Sequence, residues 1–412
     1  MISLAEARER IFREVKALAP ERVELALAHG RILREAVIAP EDFPGFDRAA
    51  MDGYAVMHED LSGEFVVMGE AQPGARCGVR VGPGQCVRIF TGAVMPEGAS
   101  QVIMQEDVER IGDRVVVRKR SSVLHVRRRG EDARAGALLL GVGVRLGAVQ
   151  ASLLAQVGMV DPLVAARPRV VHLVTGGELV PPAQVPGEGQ IRDSNSTLVR
   201  GLVEGAGAEM AWQGHAPDEL GQFLDRLRAP GEEGWDVLLI SGGASVGDYD
   251  FGARALAELG FEMRFHGVNL RPGKPLAFAT RGRQAAFLLP GNPVSHWVVF
   301  AVAVRLALER MQGVGADGEG DGEGWRIGGM LPLALGAALE GGADRRETFW
   351  PGRVVAGGGG LRVDPVAWRS SGDLCAIARA NALIHLPPGA LPLDAGAIVN
   401  CVLMEGGALP LD

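Results

Sequence analysis

The sequence predicts a multidomain α/β plus β protein, with a central parallel α/β domain, a small β domain inserted ahead of it and a β-barrel at the C-terminus. Three observations predict this. Residues 168–311 alternate short apolar runs with amphipathic stretches, the texture of a parallel sheet wrapped by helices. Residues 38–137 instead carry short β-rich pieces divided by Gly and Pro turns. After a Gly-, Asp- and Glu-rich stretch at 313–324, an all-β texture runs on from 325. A chain of 412 residues is also too long for one ordinary core, and about two to four domains are expected.

Taken in order, residues 3–19 read as a helix, with Ser3 as N-cap and Glu6 at capping-box spacing. Strands are expected at 64–68, 85–90, 101–104 and 115–117, and a helix at 146–157 that breaks at Gly158. In the central region the strand candidates are 170–174, 237–240, 276–279 and 286–289. The helix candidates are 196–204, 219–227, 251–259 and 294–310. Residues 313–324 have no apolar periodicity and read as a flexible linker, and 357–360 as a turn between strands.

Composition narrows the function. The net charge of −8 argues against a general nucleic-acid binder. Four cysteines without a C-x-x-C pair point to reduced thiols in a cytoplasmic protein, and eight scattered histidines without H-E-x-x-H give no zinc motif. The amphipathic start is not a signal peptide. The longest apolar helix candidate, 297–308, is broken by Arg305 and too short to span a bilayer, so no membrane partner is expected.

The chemistry concentrates in tight loops at or beside the carboxyl ends of the central strands, the edge where open α/β sheets bind ligands. Ser241-Gly242-Gly243-Ala244-Ser245-Val246-Gly247-Asp248 follows an apolar run and precedes a helix, an arrangement that offers backbone N–H groups to a phosphate. It reads equally as a strand-to-helix turn. Arg271-Pro272-Gly273-Lys274-Pro275 places two cations on a proline-stiffened loop, and Pro290-Gly291-Asn292-Pro293 presents an amide rigidly between two prolines. Asp248 suits a Mg²⁺ that bridges phosphates, or else caps the helix that follows. Thr175-Gly176-Gly177-Glu178 is a related loop. In the inserted domain, Asp52-Gly53 reads as a turn or as a functional carboxylate, and Thr91-Gly92-Ala93 as an oxyanion contact or a β-turn.

Together these segments resemble the molybdopterin molybdenumtransferase family, which is related to the C-terminal domain of gephyrin. The resemblance runs over nearly the whole chain. It rests on Pro44-Gly45-Phe46-Asp47, Met51-Asp52-Gly53-Tyr54-Ala55, Ile89-Phe90-Thr91-Gly92-Ala93, Thr175-Gly176-Gly177-Glu178-Leu179 and Ile191-Arg192-Asp193-Ser194-Asn195. It continues through the three central loops to Ser371 and Ala378-Arg379-Ala380-Asn381. The resemblance implies a molybdopterin-binding α/β domain from 1–19 and 168–312, a linker and dimerisation domain from 20–37 and 138–167, the inserted β domain at 38–137 and the barrel at 325–412. It implies a homodimer whose active site is shared between subunits, and transient contact with the molybdopterin adenylyltransferase and with molybdoenzymes.

The reaction it implies takes adenylylated molybdopterin and molybdate, releases AMP and inserts molybdenum, with Mg²⁺ in support. Carried over by motif, Asp52, Thr91, Glu178, Asp218 and Asp248 are catalytic, with Asp248 and Glu178 as metal ligands. Ser241, Gly242, Gly243, Ser245, Gly247, Arg271, Lys274, Pro290, Gly291, Asn292, Pro293, Arg346 and Ser371 bind substrate; Asp132 is a further match. The chain departs from the family's pattern at Ala50, Gly177, Arg271, Pro351 and Cys375-Ala376. Two other readings stand beside this one: the adenylyltransferase, which shares the α/β fold, and a non-catalytic scaffold of the gephyrin kind.

Overall fold

The computed structural model describes residues 1–217, 219–228, 234–242, 251–314, 330–341, 344–357 and 360–404. The chain divides into two compact units, one of Met1–Arg34 with Leu163–Asp412 and one of Glu35–Pro162.

The larger unit is built on a six-stranded sheet. Its strands are β1 (Arg169–Thr175), β2 (Glu209–Ala216), β3 (Val237–Ser241), β4 (Glu262–His266), β5 (Ala277–Arg281) and β6 (Gln284–Leu289), in spatial order β2-β1-β3-β6-β5-β4. The first four in that order run parallel. The strand expected at 276–279 runs antiparallel to β6, because only a tight turn joins Arg281 to Gln284. β4 is antiparallel to β5 in turn, so it runs with the parallel set. The loop from β4 to β5, with Arg271 and Lys274, therefore lies at the same sheet edge as the carboxyl ends of β1, β3 and β6.

Both faces of this sheet are covered, which is why its central strands read as unbroken apolar runs. Val170, Leu239 and Phe287 point to one core, and Val171, Leu238 and Leu288 to the other. The first core is roofed by α1 (Leu4–Glu14), α2 (Asn195–Gly205) and a long buried helix. The second lies under α3 (Leu220–Arg228) and α4 (Phe251–Glu258). The long helix begins as α5 (Pro293–Val299), with Pro293 in the first turn where its missing N–H costs nothing. It passes through a π-helical turn, Phe300–Val304, and ends as α6 (Arg305–Met311).

α1 is shorter than the 3–19 expected. Ser3 Oγ accepts the Glu6 N–H at 3.1 Å as foreseen, but Val15 is already extended. Pro20 disfavours helix in the residue before it, and the extended segment is held where Leu18 N–H donates to the Met311 carbonyl at 2.8 Å.

The C-terminal strands are β7 (Leu331–Leu335), β8 (Glu347–Gly357), β9 (Gly360–Pro365), β10 (Ala382–Leu386) and β11 (Ile398–Leu403). They pair in the ring β8-β9-β7-β11-β10-β8, a closed five-stranded barrel filled by Leu333, Val354, Val363, Ile384 and Cys401. Leu270–Arg271 adds to β8 as a short parallel strand. That pairing ties the β4–β5 loop of the α/β sheet to the barrel.

The smaller unit holds a second six-stranded sheet, in the order Gln101–Met104, Gly53–Val56, Gln85–Ile89, Glu64–Ala71, Arg114–Val117 and Val108–Ile111. The helix Ala148–Gln156 follows, and Gly158 ends it at a φ of 76°. All four cysteines are free. Among the described residues, no helix is long and apolar enough to cross a membrane.

Candidate functional site

A cleft of about 600 Å³ opens where the carboxyl edge of the α/β sheet meets the barrel. That size suits a ligand of several rings. Its walls come from three loops and two barrel-side segments. Gly242 directly follows β3 at a φ of 91°, and a Cβ there would lie 2.7 Å from Thr175 Oγ1, so only glycine lets β1 and β3 close up at this edge. The 290–293 loop is pinned by Asn195, whose Nδ2 donates to the Gly291 carbonyl at 2.7 Å. Asn292 Nδ2 donates to Ser371 Oγ at 2.8 Å, and Val294 N–H to the Ser371 carbonyl at 3.0 Å, joining the loop to the barrel-side segment.

Four cations line the cleft: Arg271, Lys274, Arg346 and Arg369. Asp344 holds two of them. Arg271 donates to its Oδ2 at 2.9 Å, and Arg346 grips both carboxylate oxygens, through Nε at 3.0 Å and a terminal nitrogen at 2.9 Å. These bonds, those of Arg346 foremost, hold the Asp344 carboxyl well below its ordinary range. Among the described residues no acid pairs with Lys274 or Arg369. The cleft thus keeps a surplus of positive charge on stiff supports, the condition for binding an oxyanion.

The structure brings Gly242, Arg271, Lys274, Pro290, Gly291, Asn292, Arg346 and Ser371 together around this one cleft. Pro293 opens the helix behind it. Glu178 stands exposed on the loop after β1, at the same edge. Ser241 is placed otherwise than as a ligand group: its side chain is fully buried, with the hydroxyl between His172 and His296. Strand alternation turns it into the core while Gly242 reaches the rim. Asp218, Gly243, Ser245, Gly247 and Asp248 lie outside the described residues, as does most of the expected linker at 313–324.

Asp52 and Thr91 lie in the smaller unit and form one group. Asp52 Oδ1 accepts both the N–H and the hydroxyl of Thr91, each at 2.8 Å, and these bonds lower the Asp52 pKa. The adjacent Gly53 lets its strand pair closely with Gln101–Met104, because a Cβ there would lie 2.0 Å from the Ile103 carbonyl oxygen. Asp132 is ion-paired with Arg127. The sequence reading missed Asp344, Arg369 and the edge-to-face pair Trp350–Trp368 (ring centroids 5.7 Å apart), all at or on the cleft wall. The run Trp368-Arg369-Ser370, directly ahead of Ser371, was the available signal.

Three family models cover the chain in succession: the MoeA N-terminal region (domains I and II) at residues 2–158, a probable molybdopterin-binding domain at 172–310, and the MoeA C-terminal region (domain IV) at 335–404. A molybdopterin molybdenumtransferase of Nostoc sp. is 34% identical over 390 residues, covering 91% of this chain and 87% of the relative. The chain belongs to the molybdopterin molybdenumtransferase family. A second member, molybdopterin molybdenumtransferase 1 of Mycobacterium tuberculosis, is 37% identical over 333 residues, covering 74% of this chain and 77% of the relative. The crystal structure of a molybdopterin biosynthesis MoeA protein from Pyrococcus horikoshii OT3 superposes with a TM-score of 0.79 at 27% identity. That match covers 98% of this chain and all of the other. Membership makes the chain a transferase of molybdenum-cofactor biosynthesis, and the cationic cleft falls across the regions matched by the second and third models.

Proposed function

We propose that this chain inserts molybdenum from molybdate into adenylylated molybdopterin and releases AMP, the last step of molybdenum-cofactor synthesis. The observation that carries the proposal is the cleft with its four cations and one doubly bound acid. Both substrates are anions, and a cleft of this charge fits a phosphate-rich ligand together with an oxyanion.

Within it, Lys274 and Arg369 are the cations left to meet ligand, while Asp344 fixes the heads of Arg271 and Arg346. Asn292 and Ser371 offer an amide and a hydroxyl that orient the bound anion. Glu178 tests the fit of Mg²⁺: an exposed carboxylate at this edge is the donor that ion takes alongside phosphate oxygens. Glu178, with Asp248 as its expected companion, would hold the ion. When bound, Mg²⁺ neutralises charge on the phosphate oxygens of the bond to be cleaved. Asp52, kept ionised by Thr91, is the acceptor we assign to the attacking group.

The active protein in this reading is a cytoplasmic homodimer with the four-part domain division given above. It receives its substrate from the adenylyltransferase and passes its product to molybdoenzymes. An adenylyltransferase needs only the α/β region, whereas here the flanking regions match the family as well.

The test is AMP release from adenylylated molybdopterin by the purified chain with Mg²⁺, with and without molybdate. Molybdate-dependent release with formation of active cofactor is expected. Binding of the nucleotide without release overturns the proposal in favour of a scaffold, and ATP-dependent adenylylation of molybdopterin overturns it in favour of the adenylyltransferase.

A further inference from the structure

Behind the cleft lies a row of polar groups, three buried and one half-buried, that the reaction itself does not use. Gln213 on β2, His172 on β1, Ser241 on β3 and His296 on α5 stand side by side. The register pairs His172 with Gln213 directly, and alternation turns His172 and Ser241 to the same face of the sheet. His172, Ser241 and His296 have no exposed surface. Gln213 Nε2 lies 2.8 Å from His172 Nδ1, His172 Nε2 lies 2.7 Å from Ser241 Oγ, and Ser241 Oγ lies 2.7 Å from His296 Nε2. His296 Nδ1 then lies 3.1 Å from the carbonyl of Asn292, on the cleft loop.

Both ends of this row are anchored by groups that have no choice of role. At one end, Gln213 Nε2 also meets the Ser196 carbonyl at 2.8 Å, which can only accept. Its Oε1 meets the Arg200 guanidinium at 3.2 Å, which can only donate. Gln213 Nε2 is therefore the amide nitrogen and donates to His172 Nδ1. His172 then carries its hydrogen on Nε2 and donates to Ser241 Oγ. At the other end, the Asn292 carbonyl accepts from His296 Nδ1, which leaves His296 Nε2 as an acceptor for the Ser241 hydroxyl. Each bond runs the same way, from β2 to the cleft loop, and every member is satisfied. Burial keeps both rings neutral, as this pattern requires.

We propose that Gln213, His172, Ser241 and His296 form a directional hydrogen-bond relay that positions Asn292 for substrate, making all four positioning residues of the transferase site. The relay grips the end of β3 one residue before Gly242 and the start of α5 at Asn292, so it fixes the spacing of two cleft walls. Its link to turnover rests on the function proposed above; its hydrogen pattern does not.

Two measurements test it. Neutron diffraction from deuterium-exchanged crystals of the full chain should show deuterium on His172 Nε2 and His296 Nδ1, and none on His172 Nδ1 or His296 Nε2. Any other pattern overturns the relay, whether or not the protein turns over. Kinetically, Q213E keeps the size of the side chain but replaces the donor with an acceptor, which reverses the His172 tautomer and leaves one ring without its partner. Q213E and S241A should each raise the KM for adenylylated molybdopterin about tenfold with kcat within about twofold. Should S241A fail to fold, Q213E, at a half-buried position, decides alone. An unchanged KM in a folded Q213E overturns the positioning role.

Discussion

Arg346 meets both oxygens of Asp344 through two guanidinium nitrogens, while Arg271 donates to Oδ2 of the same carboxylate at 2.9 Å. At 36% and 39% side-chain exposure, neither arginine is buried, so the ion pairs themselves add little to stability. What they supply is geometry: two cations are held at fixed positions on the cleft wall by one acid. R346K preserves the charge but cannot form the fork, since an ammonium is a single point donor. The expected outcome is a rise in the KM for molybdate of about five- to tenfold with little change in melting temperature, measured by steady-state kinetics beside a thermal unfolding scan. An unchanged KM would mean that the cleft responds to charge alone. Sequence reading found Arg346 and Arg271 but not Asp344, because an Asp beside two arginines reads as a solvated charge run until the barrel brings Arg271 to it.

At the scale of elements, β1 and α5 each carry a buried ring, His172 and His296, whose titration isolated segments would not show. Burial lowers the pKa of His172 to about 3 and that of His296 to about 4. In the unfolded chain each ring titrates near the ordinary value of about 6.5. Below that value the unfolded chain takes up protons that the folded one refuses. Stability is therefore full above about pH 6.5 and falls as pH drops toward the folded values, by on the order of 1.4 kcal/mol per pH unit for each ring. The acids held low, Asp344 among them, lose their contribution only below about pH 4, so the span from pH 7 to 5 isolates the histidines. Urea unfolding across that span should show the slope, and H296Q should remove about half of it; a flat profile in the parent chain would rule out buried neutral rings.

The central elements were legible for the same reason that these rings are buried. Strands covered on both faces, such as Val237–Ser241, read as pure apolar runs. Glu209–Ala216 at one edge and Glu262–His266 at the other were missed, because half-covered strands mix Glu, Gln and His with their apolar residues. The cleft loops were legible from their glycines and prolines. Trp350, Trp368 and Arg369 were not, since residues so distant in sequence reach the cleft only through tertiary contacts: Leu270–Arg271 pairs with β8, and Asn292 and Val294 bond to Ser371.

At the scale of the molecule, the proposed function assigns roles to residues in each compact unit: Asp52 and Thr91 lie in Glu35–Pro162, and the cationic cleft lies in the other. A site completed by the partner subunit and one completed within a chain make opposite predictions for mixed dimers. Take D52A on one chain and K274A on the other, both at exposed or half-exposed positions where truncation leaves the core intact. If each site combines Asp52 of one subunit with Lys274 of its partner, the mixed dimer contains one site with both residues lost and one with both present. Heterodimers purified through two different tags should then recover about half of the wild-type AMP release, although either parent homodimer is nearly inactive. If each site lies within one chain, both sites of the mixed dimer carry one loss, and activity stays at the level of the homodimers. Because the recovered site would be wild-type in every residue, its KM for molybdate should equal that of the parent enzyme. A partial rescue through altered binding would instead shift KM, so measuring kcat and KM together separates a shared site from a merely tolerant one.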